Sequence, residues 1–192
     1  MERNKKQLLP MILVFTIIGV AYSCRMLAML DIGGAWMSYI RAALYLLLFS
    51  LWGYSLDRRI IQIQALHCLR LTAALMLVWL ILRTLKYEFV TDLTVARYIW
   101  YLYYLPMLFI PLLGVYVALS LGKSEEYRLT EKAGFLVAVP GILFLLVITN
   151  DLHQQVFAFN SGVPGVPDNY GYSHGIFYFC SMGWMVACMT FS

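Results

Sequence analysis

Charge is what this chain has least of. Asp, Glu, Lys and Arg make up 12% of its 192 residues, where a soluble domain averages about a quarter. Basic residues stop altogether at Lys132, and residues 133–192 contain neither Lys nor Arg. Those that remain fall singly and in pairs, without the basic stripe that a nucleic-acid surface needs. Cysteine is scarce too. Cys24, Cys68, Cys180 and Cys188 stand at no CxxC or metal-ligand spacing, so Cys180 and Cys188 read as small packing residues in an apolar run. No glycine-rich loop is present to cradle a phosphate, and nothing resembles an ATP-binding domain. The chain is therefore not expected to be an enzyme by itself, and no cofactor is expected.

What fills the space is apolar. Hydrophobic residues make up 62% of the chain, and the mean hydropathy is +0.76. A bilayer core needs about 20 apolar residues per helix. Six runs qualify: 8–26, 39–56, 66–87, 98–121, 135–149 and 176–191. The expected fold is all-α, a polytopic transmembrane helix bundle of six spans in the cell membrane. The first run is too long for a signal peptide, and Ala21-Tyr22-Ser23-Cys24-Arg25 is a poor cleavage site. The last run ends while still apolar, so the sequence reads as part of a larger bundle.

Lys and Arg set the orientation. Arg3, Lys5, Lys6, Arg58, Arg59, Arg70, Lys123, Arg128 and Lys132 fall on one side; Arg25, Arg41, Arg83, Lys86 and Arg97 fall on the other. The richer side is cytoplasmic. That places the N-terminus inside and residues 150–175 outside.

Local signals mark the connections. Arg25 lies one turn inside the outer end, with Asp31 and Arg41 as partners and a stem long enough to snorkel. Residues 60–71 are mildly amphipathic and suited to the interface before the third span. Thr91-Asp92 suits a helix cap. Arg97-Tyr98-Ile99-Trp100-Tyr101-Leu102-Tyr103-Tyr104 is an aromatic belt. Pro106 and Pro111 should kink the span that follows, and Pro140 the next one. The loop after His153 is rich in Gly, Pro, Asn and aromatics, and could close as a short hairpin.

The densest polar cluster directly follows an apolar run: Ile148-Thr149-Asn150-Asp151-Leu152-His153-Gln154-Gln155-Val156-Phe157. Asn150, Asp151 and His153, with Tyr170, Tyr172 and His174 across the loop, form the candidate ligand-binding surface. A histidine there both donates and accepts hydrogen bonds. The competing expectation is a helix stop, in which Asn150 and Asp151 satisfy loose backbone groups and His153 packs at the interface. Asp151, His153, Asp168 and His174 match no standard metal spacing, so no metal is expected.

The aromatic entry with its prolines (98–111), the charged turn at Gly122-Lys123, the following span with Val139-Pro140 and the exit Thr149-Asn150-Asp151-Leu152-His153 occur in the order of a known family. With Asn169-Tyr170-Gly171-Tyr172 before the last span, the chain resembles the N-terminal seven-transmembrane sensor region of bacterial histidine kinases. Asp151 stands where that family has Pro, and Gln154 where a second His is common. The resemblance implies two parts. Residues 1–35 are an extra N-terminal span with a short cytoplasmic tail, and residues 36–192 are the membrane sensor region. It further implies signal input from an extracellular or membrane ligand to a cytoplasmic effector, in a two-component system. The expected partners are the lipid bilayer, that ligand, the effector and a second copy of the chain. Leu66-His67-Cys68-Leu69-Arg70-Leu71-Thr72 lacks the acid and the proline of a phospho-acceptor box, so His67 reads as an interface histidine. The alternative function is a small transporter or channel-like subunit, but no acid lies at midplane and no internal repeat is visible.

Overall fold

The computed structural model describes residues 14–24, 26–27, 34–56, 60, 62–124, 134–159 and 172–192. It divides into two units, Met1–Tyr54 and Ser55–Ser192. The first holds α1 (Val14–Cys24) and α2 (Gly34–Leu56), which runs two residues past its boundary. The second holds α3 (Ile63–Glu88), α4 (Leu93–Leu102), α5 (Tyr104–Ser120), a 3-10 turn (Phe135–Val137), α6 (Ala138–Ile148), the single turn α7 (Asn150–His153), strands β1 (Phe157–Phe159) and β2 (Tyr172–His174), and α8 (Ile176–Phe191).

The molecule is an all-α helical bundle with one small hairpin. Among the described residues, three helices are long and apolar enough to cross a bilayer unaided: Trp36–Leu56, Ile63–Glu88 and Leu93–Ser120. Within the other three expected runs the structure has shorter apolar helices, Val14–Cys24, Phe135–Ile148 and Ile176–Phe191, below that length. Exposed faces carry large apolar side chains, among them Val78, Ile81 and Leu85 on α3, Ile142 and Leu145 on α6, and Phe179, Val186 and Met189 on α8. Large apolar patches of this kind suit a lipid solvent. Two threonine hydroxyls of α3 are satisfied within their own helix, Thr72 donating to Cys68 O at 2.9 Å and Thr84 to Leu80 O at 2.9 Å, as suits a water-free environment.

The proline reading acquires a location. Pro106 has no N–H to offer Leu102 O, and the helix is interrupted at Tyr103, between α4 and α5. Tyr103 N turns to Trp100 O at 3.1 Å, a tighter 3-10 bond. Pro111 lies within α5 without ending it. The expected interfacial stretch at 60–71 differs from the structure. From Ile63 onward it is the opening of α3, continuous to Glu88, because Ala, Leu, Gln and Met propagate a helix readily.

In the second unit α5 packs against α3, α6 and α8. One core joins Tyr101, Tyr104, Leu108, Leu143, Val147, Val156, Phe157 and Met185. A smaller one joins Cys68, Leu112, Leu113 and Tyr116. Trp184 links α8 to α5 by donating its indole N–H to Leu108 O at 3.1 Å. At the other end of α5, Gln62 Nε2 donates to Ser120 O at 2.6 Å and ties the start of α3 to the end of α5. All four cysteines are free; Cys24, Cys68 and Cys188 are buried and Cys180 is exposed. Arg25, Asp31 and the charged loop 125–133 lie outside the described residues, as does the first run before Val14.

Candidate functional site

α6 ends abruptly. Thr149 Oγ1 donates back to Leu145 O at 2.7 Å, and one further turn, Asn150–His153, closes on Gln154 in the left-handed conformation at φ 49°. A left-handed residue here is the usual way to stop a helix, though it is more often Gly or Asn. The chain then reverses into β1, and this reversal brings Asn150 against residues six and seven positions later.

Asn150 is completely buried. Its Oδ1 accepts from the N–H groups of Val156 and Phe157, both at 3.0 Å. Its Nδ2 donates to Phe157 O at 2.9 Å and to the Tyr101 hydroxyl at 3.2 Å. Tyr101 then donates to Asp151 Oδ1 at 2.9 Å, and Arg97 Nη2 donates to Asp151 Oδ2 at 3.1 Å. The bonds run in one direction, from Asn150 through Tyr101 to Asp151, and Arg97 closes them from the other side. Arg97 and Tyr101 lie four apart on α4, hence on one face. The Arg97–Asp151 pair is about one-fifth to one-quarter exposed. The Arg97 guanidinium also lies 5.3 Å from the Phe159 ring centroid, and its buried Nε has no hydrogen-bond partner.

His153 faces back along its own helix. Its Nδ1 accepts from Gln155 N at 3.0 Å and its Nε2 lies 3.1 Å from Leu146 O. A carbonyl can only accept, so the ring proton belongs on Nε2. Both ring nitrogens are thereby engaged, and the ring meets Phe177 edge-on at 6.4 Å.

The hairpin pairs Phe157 with His174, Ala158 with Ser173 and Phe159 with Tyr172. Phe157 is fully buried and lies at the centre of an aromatic cluster. Trp100 is 4.4 Å away, Tyr101 is stacked at 6.3 Å, and Tyr104, Tyr172 and Tyr178 are each within 5.8 Å. His174 is exposed and rests on Tyr178 at 4.0 Å. Gly175 permits the closure: its N–H donates to Val156 O at 2.9 Å, and a Cβ there would overlap the Gln155 carbonyl.

Of the six residues expected from the sequence, Asn150, Asp151, Tyr172 and His174 therefore gather around Phe157 and Tyr101. His153 turns aside, and Tyr170 lies outside the described residues, as does Asp168. Arg97, Trp100 and Tyr101 are further partners, which the sequence alone places only in the interfacial belt. The signal for them was spacing: two polar residues four apart on a helix, in a chain whose acids over residues 133–192 are Asp151 and Asp168. Among the described residues, no three His, Cys, Asp or Glu converge as a metal site.

This end of the bundle is built from the belt, the proline-interrupted helix and the Asn-Asp exit, and these lie inside a family match. The model for the N-terminal 7TM region of histidine kinase matches residues 39–192. The chain belongs to that family. It is thus a multi-pass membrane protein of the type that precedes the catalytic part of a histidine kinase, with a linked cytoplasmic kinase part implied. No curated protein and no solved structure matches the chain. Within this histidine-kinase region, α3 to α8 and the hairpin all fall inside the match, and α1 precedes it.

Proposed function

We propose that this chain is the signal-input region of a bacterial histidine kinase. Its N-terminus is cytoplasmic, residues 1–35 add a span ahead of the sensor region 36–192, and residues 150–175 face outward. An extracellular or membrane stimulus biases the packing at this end, and the helices pass the bias to the kinase part. The observation that carries the reading is the Asn150 side chain, whose four hydrogen bonds join the exit of α6 to both the hairpin and α4. A ligand that shifts the hairpin cannot leave these bonds unchanged, and a signal requires such a difference between two states. Asn150 and Asp151 are the coupling elements. His174 and Tyr172, with Tyr170 in the same loop, are the contact surface, and His153 fixes the turn between them.

The test is made in the full-length kinase, reading autophosphorylation against stimulus in membranes. Asp151→Asn releases Arg97 and shifts the response threshold about tenfold, equivalent to roughly 1.4 kcal/mol, while membrane insertion stays normal. His153→Ala shifts it in the same assay. Wild-type response curves for both variants at normal expression would refute the coupling role.

A further inference from the structure

The turn that ends α6 contains a side chain whose two bonds exist in one charge state only. His153 Nδ1 accepts from Gln155 N at 3.0 Å, and Nε2 donates to Leu146 O at 3.1 Å. A ring that accepts on one nitrogen and donates on the other is a neutral imidazole, whereas the imidazolium donates on both. Adding a proton leaves the Leu146 side unchanged. It turns Nδ1 into a donor aimed at the Gln155 N–H, so that two donors face each other and the turn must shift.

The surrounding backbone passes such a shift on. Among the described residues, Gln154 alone besides glycine has a positive φ, 49°, a backbone state that L residues adopt at a cost. It is held on both flanks: its own N–H donates to Asn150 O at 2.7 Å, and the next N–H is the one that His153 accepts. Gln155 O accepts from Phe177 N in the first turn of α8 at 3.3 Å, and Gly175 packs against the same carbonyl. The two N–H groups after Gln155 are those held by Asn150. A displacement of Gln155 therefore reaches α8 and the hairpin together.

The neighbours of the ring favour its neutral form. On α6 it faces Leu146 O and, at 3.5 Å, the Thr149 hydroxyl, whose proton goes to Leu145 O. On α8 it faces the Phe177 ring, and α8 carries no charged residue. Asp151, on the same turn, is held by Arg97 and Tyr101 of α4, and the Arg97 charge offsets it. His174 on β2 rests on Tyr178. Residues 133–192 contain no Lys, Arg or Glu, and their other acid, Asp168, lies outside the described residues. His153 is partly exposed, so solvent protons reach it.

We propose that His153 is a proton-operated switch: acid outside the cell protonates Nδ1, the bond from Gln155 N is lost, and the turn moves the hairpin and the start of α8. This rests on the signal-input reading and names its stimulus. The Nδ1 lone pair takes a proton from water, and no covalent bond of the chain breaks. The closed turn belongs to the neutral ring, so it is complete near pH 8 and lost as the pH falls toward about 5, the range in which histidine ordinarily changes charge.

Two measurements on the full-length kinase test this. In nanodiscs, amide exchange at Gln155 and Phe177, corrected for its intrinsic pH dependence, should be about fivefold faster at about pH 5.5 than at about pH 7.5. In liposomes with the kinase part facing added ATP and the hairpin in a separately buffered lumen, the same change of lumenal pH should alter autophosphorylation by a similar factor. His153→Gln, whose amide donates and accepts without taking up a proton, should give one value at both pH values in each assay. His153→Lys should show the acid value at both, and His67→Gln should respond as wild type does. Exchange that ignores pH, or that follows it equally in His153→Gln, overturns the proton switch and leaves the signal-input reading standing. Exchange that follows pH while autophosphorylation does not overturns both.

Discussion

At the scale of single residues, Asn150 ties the exit of α6 to the hairpin and to α4. A carboxamide is the one short side chain with both a donor and an acceptor end. Here the acceptor end takes two backbone N–H groups and the donor end gives to a carbonyl and a phenol. Asn150→Ala leaves the N–H groups of Val156 and Phe157 and the Phe157 carbonyl without their side-chain partner in a buried place, and each such group costs about 1–3 kcal/mol. The expected loss is on the order of 3 kcal/mol, read as a lower unfolding midpoint in detergent or nanodiscs. Asn150→Asp keeps the acceptor but loses both donors, so it should also destabilise. A midpoint within 1 °C of wild type for Asn150→Ala would show that these bonds contribute little. His153 uses its nitrogens locally: Nδ1 accepts from Gln155 N and Nε2 donates to Leu146 O.

At the scale of elements, the parts that could be read in advance were those written in local chemistry. Asp92 caps α4 through two backbone N–H groups, as Thr91-Asp92 indicated. The last helix, Ile176–Phe191, coincides with its apolar run, and the loop rich in Gly, Pro and aromatics closes as a hairpin. What could not be read were pairings between distant segments. Nothing in Arg97 or Tyr101 alone says that Asp151, about fifty positions on, will meet both. The start of α3 was misplaced because an amphipathic stretch and the opening of a helix share one pattern. The hairpin depends on one steric condition. Gly175 approaches Gln155 so closely that Gly175→Ala must displace either β1 or the first turn of α8. Overpacking of that kind costs about 1–3 kcal/mol. Hydrogen exchange should speed up at the amides of Val156, Phe157 and Phe177 while the amides of α3 stay protected. Uniform change across both regions, or none, would contradict this local account.

At the scale of the whole molecule, the distribution of Lys and Arg bears on which end faces the cell exterior. Nine basic residues stand against five across the two sets of connections: Arg3, Lys5, Lys6, Arg58, Arg59, Arg70, Lys123, Arg128 and Lys132 against Arg25, Arg41, Arg83, Lys86 and Arg97. Short loops rich in Lys and Arg stay in the cytoplasm, so the hairpin should be outside and the turn at Lys123 inside. The opposite arrangement would put the aromatic cluster and the Asn150 bonds on the cytoplasmic face, and an external ligand would have no route to them. Ser173 and Ser124 are exposed at the two ends of the second unit and carry no structural side-chain role there. In a background with Cys24, Cys68, Cys180 and Cys188 replaced by Ser or Ala, Ser173→Cys should react with a membrane-impermeant maleimide in intact spheroplasts. Ser124→Cys should react only after the membrane is opened. The reverse labelling pattern would invert the molecule and remove the external-stimulus reading, leaving the bilayer and the cytoplasm as the sources of its signal.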